Sequence, residues 1–170
     1  DYSKYNVDLQ LFGYGGELEK IVPKEVNVLP PLDYTKFTEL SLEQSIVDSI
    51  KKINFKMLSS RLRYSLALRK NNYSNAQKAR VFWQNASKSI EKSKRNYDIA
   101  ISYAQGVPTF YVAEKIRANK KYAWVNVGYR LEEEDKKFQR QFYDKYNNIV
   151  AVSDVSKEIF VETFPEYKEK

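Results

Sequence analysis

Three short segments constrain the fold most. Residues 99–103, 122–127 and 149–153 are rich in β-branched and aromatic side chains and recur about every 25 residues. Helix-like stretches fill the intervals at 108–119 and 131–146, and another runs from about 155 to 164. Such spacing fits right-handed crossover units on a parallel sheet, because antiparallel neighbours need only a tight turn between them. The runs Ile99-Ala100-Ile101 and Ile149-Val150-Ala151-Val152 are apolar at successive positions, which predicts strands covered on both faces. The expected fold is therefore α/β, a Rossmann-like parallel sheet with helices on both faces. Residues 7–12 and 26–29 read as two further strands. Pro108 suits a first helical turn, and Ser153 or Asp154 can cap the helix after the last strand.

The stretch from about 40 to 95 is different in kind. Ile46, Ile50 and Ile53, then Leu58, Leu62 and Leu66, recur at helical spacing, with a break at Asn71-Asn72. It reads as two or three helices inserted between the second and third strands of a single domain spanning 1–170. From Lys51 to Arg95 there are 13 Lys or Arg and one acid, Glu91. That stretch carries +12 and the remainder −5, which together make the chain's +7. A field of that strength attracts polyanions such as anionic lipid headgroups, nucleic acid or an anionic polymer. A merely solvated pair of charged helices is the plainer reading.

Composition removes several chemistries. The chain has no Cys and no His, so nucleophile systems built on imidazole or thiolate, zinc sites on those ligands, and haem or iron–sulfur ligation lack their groups. Carboxylates, Tyr, Lys and Arg are left for any catalysis. The five glycines form neither a dinucleotide fingerprint nor a phosphate loop. No run of about 18 apolar residues exists, and the polar opening is not a signal peptide. The first residue is Asp, from which a fragment, a processed chain or an excised domain is expected.

In open parallel sheets ligands bind beyond the carboxyl ends of the strands. The candidates there are Tyr103-Ala104-Gln105-Gly106, Asn126-Val127-Gly128-Tyr129 and Ser153-Asp154, which also read as ordinary turn residues. Glu132-Glu133-Glu134-Asp135 reads as a solvated helix start matched to the helix dipole. Phe82 and Trp83, interleaved with Arg80 and Lys88, could stack bases or sit at a headgroup boundary, or form an apolar helix face with a basic wet side.

The segments YDIAISYAQGVPTFYVAEKIRANKKYAWVNVGY and YDKYNNIVAVSDVSKEIFVETFPEYKEK resemble the N-terminal, acceptor-side domain of family 4 glycosyltransferases, especially bacterial enzymes of capsule, exopolysaccharide and cell-wall glycan assembly. The resemblance spans about 97–170, and 7–29 fits the preceding strands more weakly. It implies the N-terminal half of a GT-B architecture, with two Rossmann-like domains facing across a cleft. It also implies metal-independent transfer with retention from a UDP- or GDP-linked sugar held by a C-terminal donor domain. That domain and the family's opening strand are not found in this sequence, so the isolated chain is expected to be inactive, with no cofactor of its own and catalytic residues unassigned.

Tyr103, Gln105, Gly106, Asn126, Gly128 and Ser153 match family positions lining the acceptor side of the cleft. Many relatives have His where Asn126 stands, and an amide can bond a hydroxyl but cannot shuttle a proton. The implied acceptor is a glycan or lipid-linked sugar. The implied location is cytoplasmic, peripheral to the inner face of the cell membrane, with Lys51, Lys52, Lys56, Arg61, Arg63, Arg69 and Lys70 facing an anionic surface. Two other readings stand beside it: a basic α/β module that binds nucleic acid, and a non-catalytic subunit complementing a separate donor-domain partner. Against the first, the strands lack an aromatic RNA-stacking motif and the basic helices lack a turn-recognition pair.

Overall fold

The computed structural model describes residues 4–52, 55–70, 72–128 and 131–170, with the side chain of Lys70 outside that set. The chain is α/β with parallel strands throughout, in two small sheets, and divides into two compact units. One comprises Asp1–Ser59 with Ser89–Glu91, the other Ser60–Lys88 with Lys92–Lys170.

In the first unit, β1 (Val7–Leu9) pairs in parallel with β2 (Val26–Val28), and α1 (Asp33–Glu39) and α2 (Leu42–Lys52) follow. The expected strands 7–12 and 26–29 are present but shorter. The connection between them is held by Tyr14, whose hydroxyl donates to the Leu29 carbonyl at 2.8 Å. Glu91, the single acid of the basic stretch, caps α1 by accepting the Asp33 N–H at 2.5 Å. The first unit also holds the start of α3 (Phe55–Lys70), since the division falls inside that helix between Ser59 and Ser60.

The second unit holds α4 (Asn75–Ala86), β3 (Asn96–Ser102), α5 (Val107–Lys115), β4 (Arg117–Val125), α6 (Glu133–Tyr143), β5 (Asn148–Ala151) and α7 (Asp154–Thr163). The sheet order is β3-β4-β5, all parallel, as the spacing predicts. Among the described residues three α-helices, α2 to α4, occupy the stretch 40–95, and α3 and α4 lie within its basic part. Ser74 opens α4 through a capping box with Gln77. Asn71, part of the expected break, lies outside the described residues, as does Ile53 of the expected helical series.

The expectation of helices on both faces is corrected in this unit. Two successive crossovers of the same hand, stepping the same way across a sheet, deliver their helices to one side. Ser102, Ala123 and Val125 face that side and are at most 1% exposed. The opposite face carries Ile99 and Ile101 of β3 and Val152 just past β5, all about half exposed. The apolar run Ile99-Ala100-Ile101 thus contributes Ala100 to the helix side and both isoleucines to the other.

The core of the second unit is aromatic. Phe110, Phe142 and Trp83 pack with ring centroids 4.3 to 6.3 Å apart, and Tyr143, next to Phe142 in α6, packs against Phe160 of α7 and Phe164 just past its end. Phe82 and Trp83 are therefore not a stacking surface. Phe82 packs edge-on to Tyr64 at 5.3 Å, while Trp83 is 2% exposed with its indole N–H donating to Glu114 at 3.1 Å. Arg80 is buried as well. Its Nε donates to Asp135 Oδ1 at 2.7 Å and its Nη1 to Glu134 Oε1 at 2.5 Å. The acidic cluster is consequently not a wholly solvated helix start, since Asp135 is 2% exposed and anchors α6 to α4.

Candidate functional site: the carboxyl ends of the strands

β3 ends at Ser102 and turns into α5 through Tyr103, Ala104, Gln105 and Gly106. The turn is sharp, and Gly106 takes φ +82° and ψ −127°, a conformation open in practice to glycine alone. Pro108 then occupies the first helical turn as expected, and Thr109 donates its hydroxyl to the Ala104 carbonyl at 3.0 Å. The chain leaves β4 through Asn126, Val127 and Gly128, and Tyr129 lies outside the described residues.

The two strand ends are clasped together. Gln105 Oε1 accepts the backbone N–H groups of Asn126 at 3.2 Å and Val127 at 3.0 Å. In return the Asn126 side-chain amide donates to the Tyr103 carbonyl at 2.8 Å. One side-chain acceptor thus satisfies two donors that the end of the strand would otherwise leave to water. Above the clasp the Tyr103 ring, 74% exposed, stacks on Trp124 of β4, with centroids 5.9 Å apart and planes 26° from parallel. Tyr103, Gln105 and Asn126, three of the predicted residues, therefore meet on one crest.

The remaining three have other surroundings. Gly128 sits against α7, and a Cβ there would come within 2.6 to 2.9 Å of Ile159 side-chain atoms. Close approach of the backbone to that helix demands glycine at this position. Gly106 makes the turn beneath the crest and is buried. Ser153 caps α7, accepting the Ser156 N–H at 3.2 Å, and lines an open groove of about 950 Å³ along the outer edge of β5. That groove also takes in Asn148, Asp154, Lys157 and Lys170, and it is separate from the clasp. Ser153 and Asp154 of this groove are expected at the end of a strand, but Trp124 and the groove's other residues are not, since each depends on which strand lies beside which.

The basic residues predicted to face a surface divide similarly. Lys51, Lys52, Lys56, Arg63 and Arg69 are exposed, Arg61 is half-buried, and Lys52 pairs with Asp48 at 2.8 Å. The Lys70 side chain lies outside the described set. Leu62 and Leu66 of α3 point to solvent instead of a core, whereas Leu58 is half-buried.

Three ionisable groups near this framework are displaced by burial. Tyr146, whose hydroxyl donates to the Thr109 carbonyl at 2.6 Å beneath α5, is raised well above the ordinary phenol range. Tyr167 is raised by burial and by its bond to Asp144. Lys121 is lowered, first by burial and then by Lys145. Tyr146 lies beneath α5, whereas Lys121 is bonded to Asn147 at the amino end of β5 and Tyr167 lies past α7, so two of the three are away from the strand ends. Among the described residues, no group of three or more acidic side chains is placed to hold a metal ion, and no helix is long and apolar enough to cross a membrane. Comparison with protein-family models, curated proteins and solved structures finds no match for this chain.

Proposed function

We propose that this chain is the acceptor-binding, membrane-facing part of a retaining nucleotide-sugar-dependent glycosyltransferase of GT-B type, acting in polysaccharide or glycan assembly. The observation that supports it best is the crest. An exposed tyrosine ring backed by Trp124 offers a flat apolar surface to the C–H face of a pyranose. Gln105 and Asn126 supply amide groups beside it, within reach of sugar hydroxyls. The site lies beyond the carboxyl ends of parallel strands, where such sheets bind their ligands.

In this reading Tyr103 and Trp124 hold the acceptor ring, while Gln105 and Asn126 fix its orientation. Asn126 takes no proton, because an amide has no basic site at ordinary pH. The donor nucleotide-sugar, UDP- or GDP-linked, and the groups that handle its phosphates belong to another part of the enzyme. The exposed cations Lys51, Lys52, Lys56, Arg63 and Arg69 hold this part against an anionic leaflet.

The test is an amide chemical-shift titration of the full chain with methyl hexopyranosides and, separately, with UDP-glucose. Saturable shifts confined to 103–106 and 126–128 with a methyl glycoside are expected, and Tyr103→Ala should weaken them at least about tenfold. Saturation of the same amides by micromolar UDP-glucose, with no response to any glycoside, would overturn the acceptor assignment.

A further inference from the structure

Helix α2 is turned inside out. The residues it buries completely are Ser45 and Ser49, while Leu42 is 52% exposed, Ile46 41%, Val47 50% and Ile50 60%. At about 100° per residue, Leu42, Ile46 and Ile50 climb one side of the helix as a ridge, and Val47 widens it. Ser45 resolves its own polarity inside the helix, donating its hydroxyl to the Ser41 carbonyl at 2.8 Å. The buried side is thus small, with the Ser45 hydroxyl satisfied within the helix and the Ser49 hydroxyl buried without a hydrogen-bond partner among the described residues, and the apolar side faces out.

The charge around the ridge selects what can cover it. Lys51, Lys52 and Lys56 are exposed at and beyond the carboxyl end of α2, and Phe55 beside them is 56% exposed. They open the stretch that carries +12. A second copy would bring the same cations against themselves in a chain of net charge +7. Nucleic acid would answer the lysines but leave the ridge in water. An anionic bilayer answers both, because its phosphates meet the cations and its acyl boundary takes the apolar side chains.

We propose that α2 lies in the plane of an anionic lipid surface, with Leu42, Ile46, Val47 and Ile50 in the acyl boundary and Lys51, Lys52 and Lys56 among the phosphates. Glu43, the acid on the ridge side, sits in the first turn, so the amino end lies shallower than the lysine end. This extends the membrane-facing part of the proposed function from electrostatic attachment to insertion.

The absence of cysteine makes the test direct. Ile50→Cys and, on α7, Glu158→Cys are labelled with an environment-sensitive fluorophore. Each is mixed with phosphatidylcholine vesicles containing about 30% phosphatidylglycerol. The label at 50 should shift to the blue and be quenched by brominated acyl chains, and the label at 158 should do neither.

Binding should persist in part at about 0.5 M salt, where surface charge is screened. The exposed-site variant Ile46→Glu/Ile50→Glu, with an unchanged melting curve, should lose that salt-resistant fraction at least about tenfold. Low-salt binding with the label at 50 still in water would overturn insertion and leave electrostatic attachment intact. No binding to any vesicle at low salt would overturn both. A blue shift that grows with protein concentration in the absence of lipid would assign the ridge to a second copy and overturn insertion.

Discussion

Arg80 of α4 and Asp135 of α6, 55 residues apart, meet through a 2.7 Å hydrogen bond between Nε and Oδ1 in a part of the protein where neither side chain is more than 10% exposed. Burying two charges is costly, and their attraction offsets that cost only while both remain. Arg80→Ala or Asp135→Ala should therefore destabilise by about 3–5 kcal/mol. Arg80→Met/Asp135→Leu should lose less than either single change. Urea denaturation of the four proteins checks this, and a double variant weaker than both singles would contradict it.

The two site glycines should fail in different ways. Gly106→Ala forces a side chain onto φ +82°, at a cost of about 1–3 kcal/mol. Gly128→Ala drives a methyl group into Ile159, an overpacking penalty of about 1–3 kcal/mol. Adding Ile159→Ala should recover part of the loss at Gly128 relative to Ile159→Ala alone, and none of the loss at Gly106. Thermal melts of the single and paired variants read the difference.

Tyr146 sets an alkaline limit. Its folded pKa lies above that of an unfolded tyrosine, about 10, because burial disfavours the phenolate. The folded state thus holds a proton that the unfolded state releases, and the associated stability is complete below about pH 10 and lost as pH rises through the folded value. Tyr167 adds to the loss with the same sign. Lys121, lowered in the folded protein, works the other way across its own titration. Tyr146→Phe should cost about 0.5–1.5 kcal/mol at pH 7 by removing the bond to Thr109. It should also flatten the decline between pH 9.5 and 11 in guanidinium titrations, within the window about the free phenol value. An unchanged slope would remove Tyr146 from the account.

Much of the second unit was legible because its strands and helices carry their own periodicity. The helix expected to run to residue 119 instead ends at Lys115, and β4 begins at Arg117. Arg117-Ala118-Asn119-Lys120-Lys121 has little strand character of its own, and pairing with β3 decides its conformation. The burial of Asp135 was not legible, because a carboxylate in a first turn looks solvated until its partner from another helix is known.

The crest was half legible. Tyr103, Gln105 and Asn126 stand at strand ends in the sequence, but the clasp depends on the register that sets Ser102 beside Ala123. The outward ridge of α2 has the spacing of a core face, and no local signal tells which way such a face will turn.

The placement of the two tryptophans gives the protein a two-channel optical reporter. Trp83 emits from a buried aromatic interior, whereas Trp124 sits half-buried under the Tyr103 ring. A small quencher in solution separates the two contributions. A molecule settling on the crest alters the second emission and leaves the first as an internal standard, so occupancy can be followed in the unlabelled chain.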